Sequence, residues 1–162
     1  MPIIDLPAHW TLILDFVAWG ILQPAAAGLC SVLPPAVFRP TRWLFRPRPW
    51  ERGGAVYERF LAVRRWKRLL PSGGTVRRGG FDMRHVTSHA PLYLRTWVLE
   101  SCRAELSHWL AIPPALLFFL WNPWFVGLLM ILYAILVNGP CIVAQRYNRP
   151  RFLAILERRP RP

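Results

Sequence analysis

Apolar residues gather in two long blocks separated by a segment rich in basic residues. The first block, residues 9–38, carries one formal charge, Asp15, and is interrupted near its middle by Pro24. About 20 apolar residues cross the hydrocarbon core of a bilayer, so this block can span it with a tilt or a kink. We predict a first transmembrane segment over residues 10–37.

The second apolar block, residues 106–145, contains no formal charge and is long enough for two crossings. Its middle reads Trp121-Asn122-Pro123-Trp124, in which Asn-Pro favours a turn and the tryptophans suit a membrane interface. This pattern predicts a helical hairpin, with transmembrane segments over residues 104–121 and 123–145.

The charge distribution adds an orientation to these three segments. The chain has 21 Lys and Arg against 8 Asp and Glu, a net charge of +13, and yet 54% of its residues are hydrophobic. Every Lys and Arg lies within residues 39–103 or from residue 146 onward. The positive-inside rule then places the amino end and the hairpin turn outside, and residues 38–103 and the tail, 146–162, in the cytoplasm.

We therefore predict an all-α integral membrane protein, one domain over residues 1–162 with three transmembrane helices. A cleaved signal peptide is disfavoured because residues 1–9 contain no Lys or Arg. A two-span protein, with the first block on the inner leaflet, stays open because of its prolines. The basic charge also suits nucleic-acid binding, but that would require the apolar blocks to form a soluble core, so we expect no nucleic-acid partner.

Residues 55–70 of the basic segment are predicted to form an amphipathic helix between the first and second spans. Four apolar residues recur there at helical spacing: Val56, Phe60, Val63 and Leu70. A basic amphipathic helix suits the surface of an anionic leaflet. The pattern fits equally the binding of an anionic cytosolic ligand by Trp66-Lys67.

The most plausible chemistry lies where the second predicted span begins. Glu105 and His108 are three residues apart, so they are neighbours on one helix face, and Glu100 lies on a nearby line. A carboxylate beside a histidine orients the imidazole and stabilises its protonated form. The alternative is a set of structural ion pairs at the helix end, Glu100 with Arg103 and Glu105 with an arginine of the tail.

The hairpin is expected to bring a second set of residues to the same place. Antiparallel helices that turn at Asn122-Pro123 put His108 level with about Asn138. The same register puts Glu100 to Arg103 level with about Gln145-Arg146. Acid, imidazole, amide and guanidinium groups would then converge at the cytoplasmic mouth of the hairpin.

Two patterns are also typical of metal sites. His85 and His89 are four residues apart, and Glu105-x-x-His108 is similar to half of a di-iron site. A carboxylate-bridged di-iron bundle needs two Glu-x-x-His units and further glutamates, and this chain has one such unit. We therefore expect no metal and no bound cofactor.

Three motifs, in this order, resemble those of a known family. They are Arg64-Arg65-Trp66-Lys67 with Leu70-Pro71, Arg103-Ala104-Glu105-Leu106-Ser107-His108-Trp109, and Gln145-Arg146-Tyr147-Asn148-Arg149-Pro150-Arg151. Over about residues 56–156 the chain resembles the glycosyl-4,4'-diaponeurosporenoate acyltransferases, bacterial membrane enzymes of staphyloxanthin-type carotenoid biosynthesis. The resemblance implies transfer of a fatty acyl group to a sugar hydroxyl of a glycosylated carotenoid acid in the cell membrane.

The resemblance suggests roles for the candidate residues. His108 would take the proton from the sugar hydroxyl as it attacks a thioester carbonyl, and Glu105 would support the imidazolium. Four residues are candidates for supporting roles or for binding the oxyanion: Glu100, Arg103, Asn138 and Asn148. Seven are candidates for binding the donor or substrate: Trp66, Lys67, His85, Arg146, Tyr147, Arg149 and Arg151. The acyl donor would be acyl-CoA or an acyl carrier protein.

Two other functions stay open. The chain could be a non-catalytic membrane adaptor whose basic surface recruits an acidic partner. It could also acylate another glycolipid, because the motifs identify the family more firmly than the acceptor.

Overall fold

The computed structural model describes residues 2–71, 81–83 and 85–158, and these contain helices and irregular segments but no strand. The described α-helices are α1 (Ala8–Val32), α2 (Ala55–Leu61), α3 (Val63–Trp66), α4 (Pro91–Ala111) and α5 (Trp124–Glu157). Segments of 3₁₀ helix occur at Pro35–Val37, Pro49–Gly54, Lys67–Leu69 and Pro113–Leu120. The prediction of an all-α fold is confirmed for these residues. The end of the predicted tail, residues 159–162, lies outside the described residues.

The chain divides into two compact units. Unit 1 contains the residues up to Val32 together with Leu106–Gly139, and unit 2 contains Leu33–Glu105 together with the residues from Pro140 onward. The helices α4 and α5 each contribute residues to both units.

Helix α1 corresponds to the first predicted transmembrane segment but ends earlier than residue 37. It continues through Pro24 and ends at Val32. Pro34 disfavours helical backbone angles at the residue before it, and Pro35 does the same for Pro34. The chain then forms a short 3₁₀ turn instead of extending the helix.

The second predicted segment, residues 104–121, is not one continuous helix. Helix α4 ends at Ala111, and the chain continues as the 3₁₀ helix Pro113–Leu120. Pro113 and Pro114 remove two consecutive backbone N–H donors and crowd the preceding turn, which disfavours an α-helix more strongly than the single prolines inside α1 and α5 do. The hairpin turn follows at residues 121–123, as predicted.

Helix α5 contains the third predicted segment and continues well beyond residue 145, to Glu157. Much of the predicted tail is therefore helical. Both Pro140 and Pro150 lie inside this helix.

The amphipathic helix predicted over residues 55–70 is interrupted. Ala62 adopts a left-handed conformation, with φ 46° and ψ 46°, between α2 and α3. The α-helical part then ends at Trp66, and a 3₁₀ turn follows. The prediction of one continuous helix is wrong at Ala62.

Unit 1 is held together by aromatic packing and by one buried carboxylate. Trp19 of α1 stacks on Phe118 with ring centroids 4.8 Å apart and meets the edge of Tyr133 at 5.1 Å. Asp15 Oδ1 accepts hydrogen bonds of 2.8 Å from Trp121 Nε1 and from Asn122 Nδ2. The one charged residue of the first apolar block thus binds the hairpin turn.

Among the described helices, α1 and α5 are long and apolar enough to cross a membrane. Large apolar side chains of both helices face outward, with Phe16 73% and Leu136 63% exposed. Contiguous apolar surface of this kind suits contact with lipid, not a soluble core. These two helices support the prediction of a membrane protein, and the segment 104–121 does not add a third helix of this kind.

Candidate functional site

His108 of α4 and Asn138 of α5 form a polar pair in unit 1. The imidazole Nδ1 lies 2.8 Å from Asn138 Oδ1, which confirms the register expected for the hairpin. Asn138 Nδ2 donates to the carbonyl of Ala134 at 2.9 Å, so the amide oxygen is the atom that faces His108. That oxygen can only accept, so Nδ1 of a neutral imidazole carries the proton and Nε2 carries the lone pair. A general base uses such a lone pair.

Glu105 is fully buried in unit 2, where its carboxylate binds two arginines of α5. Its Oε1 accepts a 2.7 Å hydrogen bond from Arg146 Nε, and its Oε2 lies 2.6 Å from Arg149 Nη1. The structural ion pair of Glu105 with arginines of the tail, one of the two alternatives from the sequence, is therefore present. The expected partner of the imidazole was Glu105, but Nδ1 of His108 binds Asn138.

Glu51 is a second buried carboxylate, which the sequence did not single out. Its Oε1 accepts 2.7 Å hydrogen bonds from Arg146 Nη1 and from the Tyr57 hydroxyl, and its Oε2 accepts one from Arg48 N. Burial raises the pKa of the Glu51 carboxyl, but these hydrogen bonds and the charge of Arg146 outweigh it and hold the pKa below its usual value. Arg146 thus bridges Glu51 and Glu105.

Arg149 completes this buried network. Its Nε donates to Ser101 Oγ at 3.2 Å, and its Nη2 and Nη1 donate to the carbonyls of Ser101 and Phe45 at 3.0 Å. Arg146 Nη2 also donates to the carbonyl of Leu44. Two arginines face two carboxylates and several carbonyls, which satisfies charges that would otherwise be costly to bury.

The other predicted ion pair of α4 is also present. Arg103 Nε lies 3.4 Å from Glu100 Oε1, and both side chains are about one quarter exposed. The guanidinium of Arg103 also lies over the ring of Phe38, 4.7 Å from its centroid. These contacts give Glu100 and Arg103 structural partners within unit 2.

A group of cations surrounds Tyr147 of α5, also in unit 2. Arg64 Nε donates to the Tyr147 hydroxyl at 2.9 Å. Lys67 Nζ lies 4.8 Å from the ring centroid, and the guanidinium carbon of Arg151 lies 3.6 Å from it. Lys67 also donates to Asn148 Oδ1 at 2.7 Å. We call these three cations, together with Arg68, whose charge acts on Lys67, the Tyr147 cation cluster.

Burial and the crowding of like charges both affect the pKa of the Lys67 ammonium group. Burial lowers its pKa, and the positive charges around it lower it further. Those charges belong to Arg151, Arg64 and Arg68, while the carboxylate of Glu58 acts in the opposite direction. The cluster thus includes Lys67 and Arg151 from the predicted donor-binding set, and it contacts Tyr147 of that set and Asn148 of the oxyanion candidates.

Two other predicted donor-binding residues have different surroundings. The indole of Trp66 packs against Tyr57, Val63 and Tyr147, and its Nε1 donates to the carbonyl of Leu61 at 2.7 Å. The side chain of His85 is 79% exposed and lies 3.2 Å from Asp82. Among the described residues, no hydrogen bond or ion pair joins His85 to the Tyr147 cation cluster.

One feature of the sequence could have indicated that Glu51 forms a buried ion pair. With only 8 acidic residues against 21 basic ones, each carboxylate of this chain is a candidate partner for a buried arginine. Arg64 could have been found as part of the Arg64–Lys67 motif. The position of Glu51 in a turn-rich segment, without helical spacing, gave no further indication.

Comparison with known proteins identifies the family. The family model described as glycosyl-4,4'-diaponeurosporenoate acyltransferase matches residues 40–158, well over half of the chain. The chain belongs to this family. Similar proteins include the glycosyl-4,4'-diaponeurosporenoate acyltransferases of Staphylococcus aureus strains bovine RF122 / ET3-1 and MRSA252, each 35% identical and covering 87% of both chains. The protein of that name from strain Newman is 33% identical over 85% of this chain and 83% of its own length. No solved structure matches the chain.

Membership of the glycosyl-4,4'-diaponeurosporenoate acyltransferase family confirms the resemblance seen in the three motifs, and it makes the protein an acyltransferase. The matched range contains the His108–Asn138 pair, the buried network of Glu51 and Glu105, and the Tyr147 cation cluster. Helix α1 precedes that range.

Proposed function

We propose that the protein esterifies a fatty acyl group onto a sugar hydroxyl of a glycosylated carotenoid, of the glycosyl-4,4'-diaponeurosporenoate type. The names of the relatives support this acceptor. The observation on this chain that carries the proposal is the His108–Asn138 pair, because it presents a histidine in the tautomer that a general base requires. The donor is an acyl thioester, either acyl-CoA or acyl carrier protein.

In the proposed reaction, the sugar oxygen attacks the thioester carbonyl while His108 Nε2 takes the hydroxyl proton. The new C–O bond forms the ester as the C–S bond breaks. The imidazolium then returns the proton to the departing thiolate, so that no other reactant is consumed. Asn138 Oδ1 accepts the hydrogen bond from Nδ1–H throughout and stabilises the imidazolium.

Glu105 acts as a positioning residue in this proposal. Its carboxylate fixes Arg146 and Arg149, and through them it holds α4 to α5 within unit 2. It lies on α4, three residues before His108. The conservative variant Glu105→Gln should therefore lower the melting temperature and leave the pH dependence of the reaction rate close to that of wild type.

The acceptor is a lipid, and the outward-facing apolar residues of α1 and α5 support a reaction in the bacterial cell membrane. We propose a multi-pass protein with its amino end outside and its carboxyl end in the cytoplasm, on the basis of its charge distribution. This orientation requires residues 104–121 to cross as well. Labels at the two ends would decide, since three crossings put them on opposite sides and two crossings put them on the same side.

The function is tested by product analysis. Membranes containing the protein are incubated with labelled acyl-CoA or acyl carrier protein and with the glycosylated carotenoid acid, and the products are identified by mass. We expect one acyl ester on the sugar, and none when the carotenoid acid lacks the sugar. Absence of the ester with both donors would contradict the proposed reaction. If the protein then also recruited an acidic protein, the adaptor hypothesis would be supported instead.

A further inference from the structure

The Tyr147 cation cluster differs from the buried ion pairs of unit 2, because Lys67 and Arg151 are half-buried and Arg64 and Arg68 are exposed. Arg146 and Arg149 are matched by the carboxylates of Glu51 and Glu105. Among the described residues, Glu58 is the one carboxylate whose charge acts on Lys67 and on Arg64. Its Oε2 is engaged with the backbone N–H of Arg64 at 3.1 Å, at the start of α3. The same fold therefore neutralises one set of arginines and leaves another set with excess positive charge.

Three cations of the cluster are also held in place. Arg64 binds the Tyr147 hydroxyl, Arg151 lies on the ring and donates to the Tyr147 carbonyl, and Lys67 binds the Asn148 amide oxygen. Holding like charges together costs free energy, and ordering long side chains costs conformational entropy. Both costs have been met before any ligand arrives, which is how a preorganised anion site gains affinity.

Arg52 and Arg59 form an ordinary solvated basic surface, which differs from the Tyr147 cation cluster. Arg52 and Arg59 are exposed and line a shallow groove with Trp50 and Phe60, and the structure shows no ion pair of either with a described carboxylate. In contrast, Lys67 is partly buried, lies near enough to three arginines to be affected by their charges, and keeps ammonium protons beyond the one given to Asn148. The arrangement presents several donors to one anion.

A close backbone approach keeps this arrangement in position. Gly54 has φ 89°, and a Cβ on it would lie 2.7 Å from the Tyr147 carbonyl oxygen and 2.9 Å from Arg151 Nη1. The segment that leads into α2 therefore packs directly against the part of α5 that carries Tyr147 and Arg151. Only glycine fits this position without a shift of the backbone.

We propose that the Tyr147 cation cluster binds the phosphate groups of the acyl donor, and that this donor belongs to the coenzyme A class of phosphorylated thioesters. The inference rests on the proposed function for the identity of the donor. Arg64 and Arg151 supply planar guanidinium groups that match phosphate oxygens, and Lys67 supplies a compact charge. Four cations suit a ligand with a diphosphate and a separate phosphate better than the single phosphodiester of a carrier protein.

The test is a binding measurement that needs no acyl transfer. The full-length protein is placed in nanodiscs of zwitterionic lipid, and the dissociation constants of coenzyme A and of 3'-dephospho-coenzyme A are measured. We expect tighter binding of coenzyme A. Lys67→Gln and Arg151→Gln should each weaken its binding by about 10- to 100-fold, because a charge-assisted hydrogen bond is lost. Lys67→Arg should retain most of the affinity.

The matched control is Arg59→Gln, which removes the same charge from an exposed residue of α2. It should leave the dissociation constant of coenzyme A within about twofold, as expected for an exposed charge that makes only a screened contribution. Thermal unfolding of every variant shows whether unit 2 stays folded. Equal binding of coenzyme A by wild type and by folded Lys67→Gln and Arg151→Gln variants would overturn the proposal.

A lipid headgroup is the other source of phosphate, and a second arm separates it. Nanodiscs that contain phosphatidylglycerol should leave coenzyme A binding largely intact, and displacement of coenzyme A by this lipid would assign the cluster to the membrane surface instead. The proposed function can fail independently. If wild type forms no ester but its coenzyme A binding depends on Lys67, the acyl-transfer proposal fails and the site stands.

Discussion

Asn138 Oδ1 lies 2.8 Å from His108 Nδ1, and this hydrogen bond determines which imidazole nitrogen carries the proton. The amide cannot face the other way without losing the bond that its Nδ2 donates to the Ala134 carbonyl. The relationship is confined to unit 1 and joins two helices that are remote along the chain. It gives a histidine within an apolar hairpin a defined chemical state.

Replacement of Asn138 by alanine should lower the turnover of acyl transfer. The imidazole would lose the acceptor that fixes its tautomer, and a hydrogen bond of this kind contributes a rate factor of about 3- to 10-fold. Steady-state rates at saturating donor measure the effect. The neighbouring variant Val137→Ala, at an exposed position of α5, is the control and should be close to wild type. Unchanged turnover in Asn138→Ala would show that the bond does not support catalysis.

Asp15 should be required for its acceptor oxygen. In Asp15→Ala, the donors Trp121 Nε1 and Asn122 Nδ2 lose their acceptor, and each loss costs about 1–3 kcal/mol. Asp15→Asn keeps an Oδ1 and should stay within about 1 kcal/mol of wild type. Thermal unfolding in detergent measures both. Equal destabilisation by the two variants would show that the negative charge, not the hydrogen bonds, matters.

Gly54→Ala should destabilise unit 2. The backbone at this position is left-handed, and the added Cβ would meet the Tyr147 carbonyl oxygen at 2.7 Å. Strain of this kind costs about 1–3 kcal/mol. Gly28→Ala is the control because a Cβ there meets nothing within 4 Å. Similar melting temperatures for the two variants would contradict the close packing of Gly54 against α5.

Acidification should remove the stabilisation that comes from Glu51. Its pKa is lowered in the folded protein, so its contribution is fully present above the usual carboxyl pKa and is lost as the pH falls through the folded value. The difference in melting temperature between wild type and Glu51→Gln should therefore be constant above about pH 4.5 and shrink as the pH falls below it. At neutral pH the variant should be less stable by about 3 kcal/mol. The exposed Glu157→Gln is the control and should have a melting temperature close to that of wild type at neutral pH.

Local patterns were sufficient for the helical class, the hairpin turn and the register that puts His108 level with Asn138, although the partner predicted for the imidazole was Glu105. The turn and the register depend on chain geometry near Asn122-Pro123, which can be worked out from the sequence. The division of the second apolar block also has a local cause, since the consecutive prolines Pro113-Pro114 disfavour an α-helix. That signal was present in the sequence, but length and hydropathy outweighed it in the prediction.

The break at Ala62 and the partners of Glu51 could not be predicted in this way. Alanine is the strongest helix former, so nothing local indicates a left-handed residue there. Glu51 reaches Arg146 because Arg52, Gly53 and Gly54 all have positive φ and turn the chain toward α5. Such a turn is stabilised by tertiary contacts, and these are absent from any local pattern.

The most direct test of the account is the rate of ester formation by His108→Gln, compared with wild type and with His89→Gln at matched protein levels in the membrane. General-base assistance contributes roughly 10²- to 10⁴-fold, so we expect a loss of that size in His108→Gln, with coenzyme A binding unchanged and His89→Gln fully active. Wild-type rates of ester formation in His108→Gln would contradict the central claim.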